Sequence, residues 1–298
     1  MAAKAFRETL KTNDFIVTAE VGPTKGSDTT KIIEYIGSLR DKVHALNATD
    51  NKSSVMRFPS IGSCLLIKEL GGEAVMDVTC RDRNRLAIQA DLLFAWSRGI
   101  GNVLCITGDA MEYGDDRQAK PVFDIDCIQL IRLVQSLNSG KDMGGNELTG
   151  ATNFCIGITT TPRANSDGTR QISLERKLEA GVDFILTQAV YDLEDIRKLM
   201  TSVRKLDRNV KVLAGIMPLV SVGMGRYMNS NMPGIFVPDS ILTEMSRALA
   251  GKAILTGISI AARMINQIKE EKICDGVHIM FPGREERIHE VLEAAGLS

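Results

Sequence analysis

The sequence predicts an α/β fold, a single (β/α)8 barrel, and three observations carry that expectation. Apolar runs rich in Val, Ile and Leu recur without strict alternation, the mark of strands buried on both faces. Stretches with the 3.6-residue period lie between most of them, so the order reads strand, helix, strand, helix. The 298 residues leave room for eight such units, whereas a doubly wound sheet uses fewer strands and a Gly-rich first turn.

Taken in order, the first strand is Phe15–Ala19, followed by a helical pattern over Thr29–Arg40. Val43–Ala48, Ala74–Val78 and Asn102–Ile106 come next, roughly thirty residues apart as βα units require, with a helix over Asn84–Arg98 before the fourth. A helix over Ile125–Leu137 follows. The longer gap to the fifth strand, Phe154–Ile158, holds Gly140, Gly144, Gly145 and Gly150 and reads as a surface excursion. Leu174–Ala180 is helical, Asp183–Leu186 the sixth strand, Leu193–Leu206 helical and Val210–Ile216 the seventh strand. Two helical stretches, Ser240–Leu249 and Ile254–Lys272, precede the eighth strand, Val277–Phe281. No Pro/Ser linker divides the chain, so residues 1–298 are expected to form one domain.

Composition removes several functions. With 36 Lys+Arg against 37 Asp+Glu, the chain has no broad field for nucleic acid or anionic lipid. No apolar run is long enough to span a bilayer, and Met1–Leu10 carries Lys4, Arg7 and Glu8 in place of a signal core. A cytoplasmic location is the expectation. The six cysteines form no CxxC pair and are expected to be reduced and buried; the three histidines share no helical turn, so no metal site is written locally. The glycine pairs Gly99–Gly101 and Gly223–Gly225 lack the third glycine of a dinucleotide fingerprint.

In a barrel the chemistry gathers at the carboxyl ends of the strands. Glu20 directly follows the first strand, where a partly dry mouth suits a general acid, although an N-cap or an ion pair with the Arg81–Arg85 run would also explain it. Asp109 after Gly108 fits either a catalytic carboxylate or a loop anchor. Gln188 offers a donor and an acceptor to a planar heterocycle, or to loop backbone. The Arg81–Arg85 run could meet phosphates or start a solvated helix, and Lys177 could do the same or serve only a helix C-terminus.

The strand-end strings Thr79-Cys80-Arg81-Asp82-Arg83-Asn84-Arg85, Leu104-Cys105-Ile106-Thr107-Gly108-Asp109, Lys177 to Gln188 and Ala214-Gly215-Ile216-Met217-Pro218, in this order, resemble the methylenetetrahydrofolate reductase family of flavin-dependent barrels from about Phe15 to Leu297. The resemblance implies that Glu20 is the catalytic acid, that Asp109 is the carboxylate near flavin and pterin, and that Gln188 binds folate. It further implies flavin contacts at Thr49, Thr79 and Cys80, with Lys177 near the cofactor's phosphates. Departures accompany it: Asp77 stands where many relatives have histidine, Thr161 where a tyrosine is common, and Ala189-Val190-Tyr191 replaces an aromatic run.

The implied activity is reduction of 5,10-methylenetetrahydrofolate to 5-methyltetrahydrofolate in one-carbon metabolism, with FAD rather than FMN, and with NADH, NADPH or a protein electron donor as reductant. A homo-oligomer is expected. A rival reading is a folate-binding catalytic subunit of a larger complex, taking electrons from an iron-sulfur or flavoprotein partner. Another is a barrel enzyme of a different one-carbon carrier, such as a methanopterin, working with a deazaflavin.

Overall fold

The structure, a computed structural model, describes residues 5–163, 168–207 and 209–297. Eight strands close into a parallel barrel in chain order: β1 (Ile16–Val21), β2 (Ala45–Ala48), β3 (Ala74–Thr79), β4 (Asn102–Ile106), β5 (Cys155–Thr160), β6 (Phe184–Ala189), β7 (Lys211–Ile216) and β8 (Gly276–Ile279). β8 pairs back onto β1, with Thr18 opposite His278. The expected fold class and all eight strands are present. Several strands run further than hydropathy indicates: β1 continues through Glu20 and Val21, β3 to Thr79, β5 to Thr160 and β6 to Ala189. The added residues include Glu20, Thr79, Thr159, Thr160, Thr187 and Gln188, so polar side chains enter while the backbone ladder goes on, and those tails carry the site.

The helices are α1 (Phe6–Thr12), α2 (Thr30–Leu39), α3 (Ser60–Glu69), α4 (Arg85–Ser97), α5 (Cys127–Asn138), α6 (Gly168–Glu179), α7 (Leu193–Leu206), α8 (Val222–Asn231), α9 (Asp239–Ser246), α10 (Ala253–Glu270) and α11 (Ile288–Ala294). Four of them, α1, α3, α8 and α11, lie outside the expected stretches. In α3 the buried positions are Ser60, Ser63, Cys64 and Ile67, so the spacing is helical but two of the four residues are polar. α8 contains two glycines and three Asn or Ser residues, which lowers its intrinsic preference. The Gly-rich excursion after α5 folds into a tight loop with Lys141 bridged to Glu147.

Two apolar layers hold the barrel. Between strands and helices lies the larger, built from residues such as Val17, Val78, Val103, Ile158, Val212 and Val277. Inside the cylinder a smaller one holds Ile16, Ala45, Val75, Leu104, Cys155, Phe184, Leu186 and Leu213. α1 closes its base: Phe6 is fully buried and meets the Phe184 ring edge-on at 5.3 Å, while Arg7 bonds the Phe154 carbonyl and Asp183. Above these layers the inward positions become polar, with Thr18, Glu20, Asn47, Asp77 and His278 all buried. No helix among the described residues is long and apolar enough to cross a membrane.

Candidate active site

A cleft of about 360 Å³ opens over the carboxyl ends of the strands. Glu20, Thr49, Asp77, Thr79, Asp109, Thr159, Lys177, Gln188 and His278 all border it, with Leu104, Ile106, Leu186 and Met280 as its apolar lining. The geometry therefore brings together Glu20, Asp109 and Gln188, which lie far apart in the chain. Among the described residues no cluster of three His, Cys, Asp or Glu side chains is placed to hold a metal ion.

Glu20 is 5% exposed at the top of β1. Its partner is not an arginine of the 81–85 run but Lys52, whose ammonium donates to both carboxylate oxygens at 2.7 and 2.8 Å. Lys52 sits in the short turn after β2, where Asn51, Ser53 and Ser54 all take positive φ of 43°, 57° and 58°. For residues other than glycine that conformation costs free energy and must be held by its surroundings. Arg81 does much of the holding. Its guanidinium is 1% exposed; it donates to the Asn51 carbonyl at 3.0 Å, to Ser54 Oγ at 3.0 Å, to the Asp109 carbonyl at 3.3 Å and to Asp82.

Asp109 meets the same turn from β4. Its Oδ2 accepts the Ser53 N–H at 2.8 Å, so it anchors the loop while its exposed carboxylate still borders the cleft. Gly108 makes this approach possible: its φ is +95°, and a Cβ there would stand 2.9 Å from Arg81 Cβ. Gln188 is presented by an irregularity in β6. The pairing of β6 with β7 shifts register between Leu186 and Ala189, and Thr187 Oγ1 accepts the Gly215 N–H at 2.8 Å while donating to the Gln188 carbonyl. Such a bulge re-aims a side chain, and Gln188 is accordingly exposed between buried neighbours. A Cβ at Gly215 would lie 2.3 Å from the Thr187 carbonyl oxygen, so the bulge needs that glycine.

The arginine run differs from its phosphate-binding alternative. Arg83 pairs with Asp50 and Asp91, and Arg85 with Asp124, so with Arg81 buried these three guanidiniums are committed within the protein. Lys177, in the last turn of α6, borders the cleft and makes no ion pair among the described residues. The two expected flavin contacts at the end of β3 differ: Thr79 borders the cleft, while Cys80, the residue after the strand, does not line it. The Thr79 hydroxyl is bonded to Asp50 at 3.1 Å. The Cys80 side chain is fully buried in the outer apolar layer, where burial pushes the thiol up to about 12; only its backbone is near the strand end. Thr49, by contrast, is buried beside the cleft with a hydroxyl that has no partner among the described residues.

Residues that sequence reasoning passed over complete the floor. Asp50 accepts the Thr79 N–H at 3.0 Å, and burial raises its carboxyl despite the neighbouring Arg83. His278 bonds Thr18 through Nδ1 at 2.9 Å, and burial pulls its imidazole down to about 4. A histidine depressed from 6.5 in the folded state stabilises fully above pH 6.5, and that contribution drains away as pH falls toward 4. We expect this histidine alone to cost about 3 kcal/mol of unfolding free energy across this window, so wild type should lose stability more steeply than His278→Asn as pH falls. Denaturant titrations at several pH values check this; parallel slopes in both proteins would refute it.

Comparisons with known proteins agree with the architecture. The chain is 24% identical to 5,10-methylenetetrahydrofolate reductase of Pectobacterium carotovorum over 289 residues, covering 94% of this chain and 90% of that protein. It is 26% identical to methylenetetrahydrofolate reductase 2 of Schizosaccharomyces pombe over 245 residues, covering 75% of this chain. The match takes in 36% of that fission-yeast protein and 36% of a nematode relative, so the chain corresponds to about a third of their length. Among solved structures, an uncharacterised Clostridium thermocellum protein described as binding two copies of 5-methyl-5,6,7,8-tetrahydrofolic acid superposes with a TM-score of 0.61 at 16% identity, covering 97% and 96% of the two chains. EDTA monooxygenase of Chelativorans sp. BNC1 superposes at 0.59 with 10% identity, covering 95% and 94%. At those identities the likeness concerns the fold. The model of the methylenetetrahydrofolate reductase family matches residues 5–296, and this chain, with its closed barrel and strand-end cleft, belongs to that family.

Proposed function

We propose that the chain is a 5,10-methylenetetrahydrofolate reductase, with the whole described barrel as one catalytic domain that binds FAD and takes electrons from NADH or NADPH. The observation that carries this reading is the convergence, in one cleft, of an enclosed carboxyl group with polar side chains left open. Glu20 faces the cleft beside Asp109, while Thr49, Gln188 and Lys177 present a hydroxyl, an amide and an ammonium without partners among the described residues. That donor set fits a flavin: Thr49 suits its ring or ribityl chain, Lys177 its phosphates, and Leu104, Ile106, Leu186 and Met280 its apolar face. A bound flavin supplies the hydride chemistry. The Clostridium protein's ligand and the bacterial relative's name point to the same substrate.

The methylene bridge is a stable five-membered ring, and it opens when N10 takes a proton. Glu20 delivers that proton, which leaves an N5 iminium cation able to accept hydride. Acid work requires Glu20 to release Lys52, whose side chain is 37% exposed, and to take up a proton from water before it passes that proton to N10. The Asp109 side chain beside the cleft stabilises the cation, and Gln188 fixes the pterin by paired hydrogen bonds.

A spectrum and mass of the cofactor released from purified protein test the flavin. Oxidation of NADH or NADPH by the protein alone tests the donor. Activity appearing only after a partner protein is added would overturn direct use of a nicotinamide. Asp109→Asn should lower folate-dependent turnover on the order of 10²-fold and shift the flavin potential; normal turnover with an unchanged potential would remove Asp109 from this role.

A further inference from the structure

The acids around the cleft floor share their cations unequally. Glu20 takes both oxygens to Lys52, Asp50 is paired with Arg83, and Asp82 with Arg81. Asp77, on β3, has no cation within ion-pair distance among the described residues. It is 5% exposed, and the one hydrogen bond its carboxyl group receives among the described residues comes from Asn47, whose amide donates to Oδ1 at 2.6 Å. The other oxygen, Oδ2, has no hydrogen-bond partner among the described residues and is not sealed off from the cleft that the side chain borders.

The groups facing Asp77 are Glu20 from β1, Asp50 and Lys52 from the turn after β2, Cys64 from α3 and Cys105 from β4. His278, from β8, lies beside Glu20 and Lys52 and is neutral at ordinary pH. The single ammonium in this set is already held by Glu20. An ionised Asp77 would therefore add an uncompensated charge inside the barrel, which such sites avoid by keeping the proton. Burial raises its carboxyl well above the ordinary range; Glu20 and Asp50 push the same way, against the Asn47 hydrogen bond and Lys52. Since the Asn47 amide donates to Oδ1, the proton belongs on Oδ2, the oxygen that looks into the cleft.

We propose that Asp77 is a ligand-binding residue whose protonated Oδ2 donates a hydrogen bond to an acceptor atom, a carbonyl oxygen or ring nitrogen, of a flavin ring in the cleft. The proposal rests on the flavin reading above. Its neighbours along the cleft wall favour the flavin over the folate: Asp77 precedes Thr79 on β3 and pairs with Leu104 of β4, on the side where Thr49 keeps its free hydroxyl, whereas Glu20 and Gln188 are the residues assigned to folate. The chemistry is that of a neutral donor, lost when the group ionises.

The test uses the full chain stripped of cofactor. Infrared difference spectra between wild type and Asp77→Asn at pH 7 should contain a protonated-carboxyl C=O band that the variant lacks. FAD is then titrated in at a series of pH values. Wild-type affinity should fall roughly 3- to 10-fold as pH rises through the titration of that band. Asp77→Asn, which keeps a neutral donor, should bind with little pH dependence, and Asp77→Leu should bind about as weakly as the ionised wild type at every pH. If Asp77→Leu does not fold, the comparison of wild type with Asp77→Asn still decides. Absence of the band, or FAD affinity equal in all three proteins, overturns the assignment of Asp77 while leaving the flavin reading intact. A wild-type chain that takes up no FAD overturns the flavin reading and the proposal together.

Discussion

Glu20→Gln should lose folate reduction by about 10²- to 10⁴-fold while its flavin is still reduced by an external donor at the wild-type rate. The two half-reactions separate because only one of them needs a proton delivered to N10. Stopped-flow absorbance reads them independently: reduction under donor alone, then reoxidation on adding 5,10-methylenetetrahydrofolate. The substitution is nearly isosteric and leaves Lys52 without its anion, but that ammonium can turn outward to water, so the fold should tolerate the change. Reoxidation at the wild-type rate would remove Glu20 from the acid role. Equal losses in both half-reactions would mean that the residue shapes the cleft and does not deliver the proton.

Arg81→Met should destabilise the chain by about 3–5 kcal/mol and loosen the cleft as well. The guanidinium is almost wholly enclosed and holds the Asn51 carbonyl, the Ser54 hydroxyl, the Asp109 carbonyl and the Asp82 carboxylate. Removing it strands a carboxylate and frees a turn whose three left-handed residues have no intrinsic reason to stay so. Chemical denaturation measures the first effect. The second should appear as weaker binding of both flavin and folate, because Lys52 and Ser53, which contact Glu20 and Asp109, ride on that turn. Stability within about 0.5 kcal/mol of wild type, the range of an ordinary surface substitution, would show that the turn is held by other means.

Much of the barrel was legible because its strands obey hydropathy: Val43–Ala48 and Asn102–Ile106 announce themselves as apolar runs. The helices that escaped notice did so for chemical reasons. α3 buries Ser60 and Ser63, and no hydropathy pattern counts serine as core. At the site, Glu20, Asp109 and Gln188 were legible as polar residues directly after apolar strands. Long-range partners were not. Nothing local pairs Lys52 with Glu20, and the Arg81–Arg85 run has the look of a surface charge cluster although its first guanidinium is enclosed. Asp77 was visible only as a departure from relatives; that it has no ion-pair partner among the described residues is a property of the folded mouth.

The plug at the base of the barrel bears on how the chain acquires its shape. α1 is synthesised well before β6, yet the Phe6 ring docks on Phe184 and Arg7 on Phe154 and Asp183, residues that leave the ribosome long after it. The α1 segment must therefore wait, with its aromatic ring uncovered, until the sixth strand exists. Sealing the cylinder is a late, long-range step, and such steps slow folding and leave the growing chain open to association with its neighbours in the meantime.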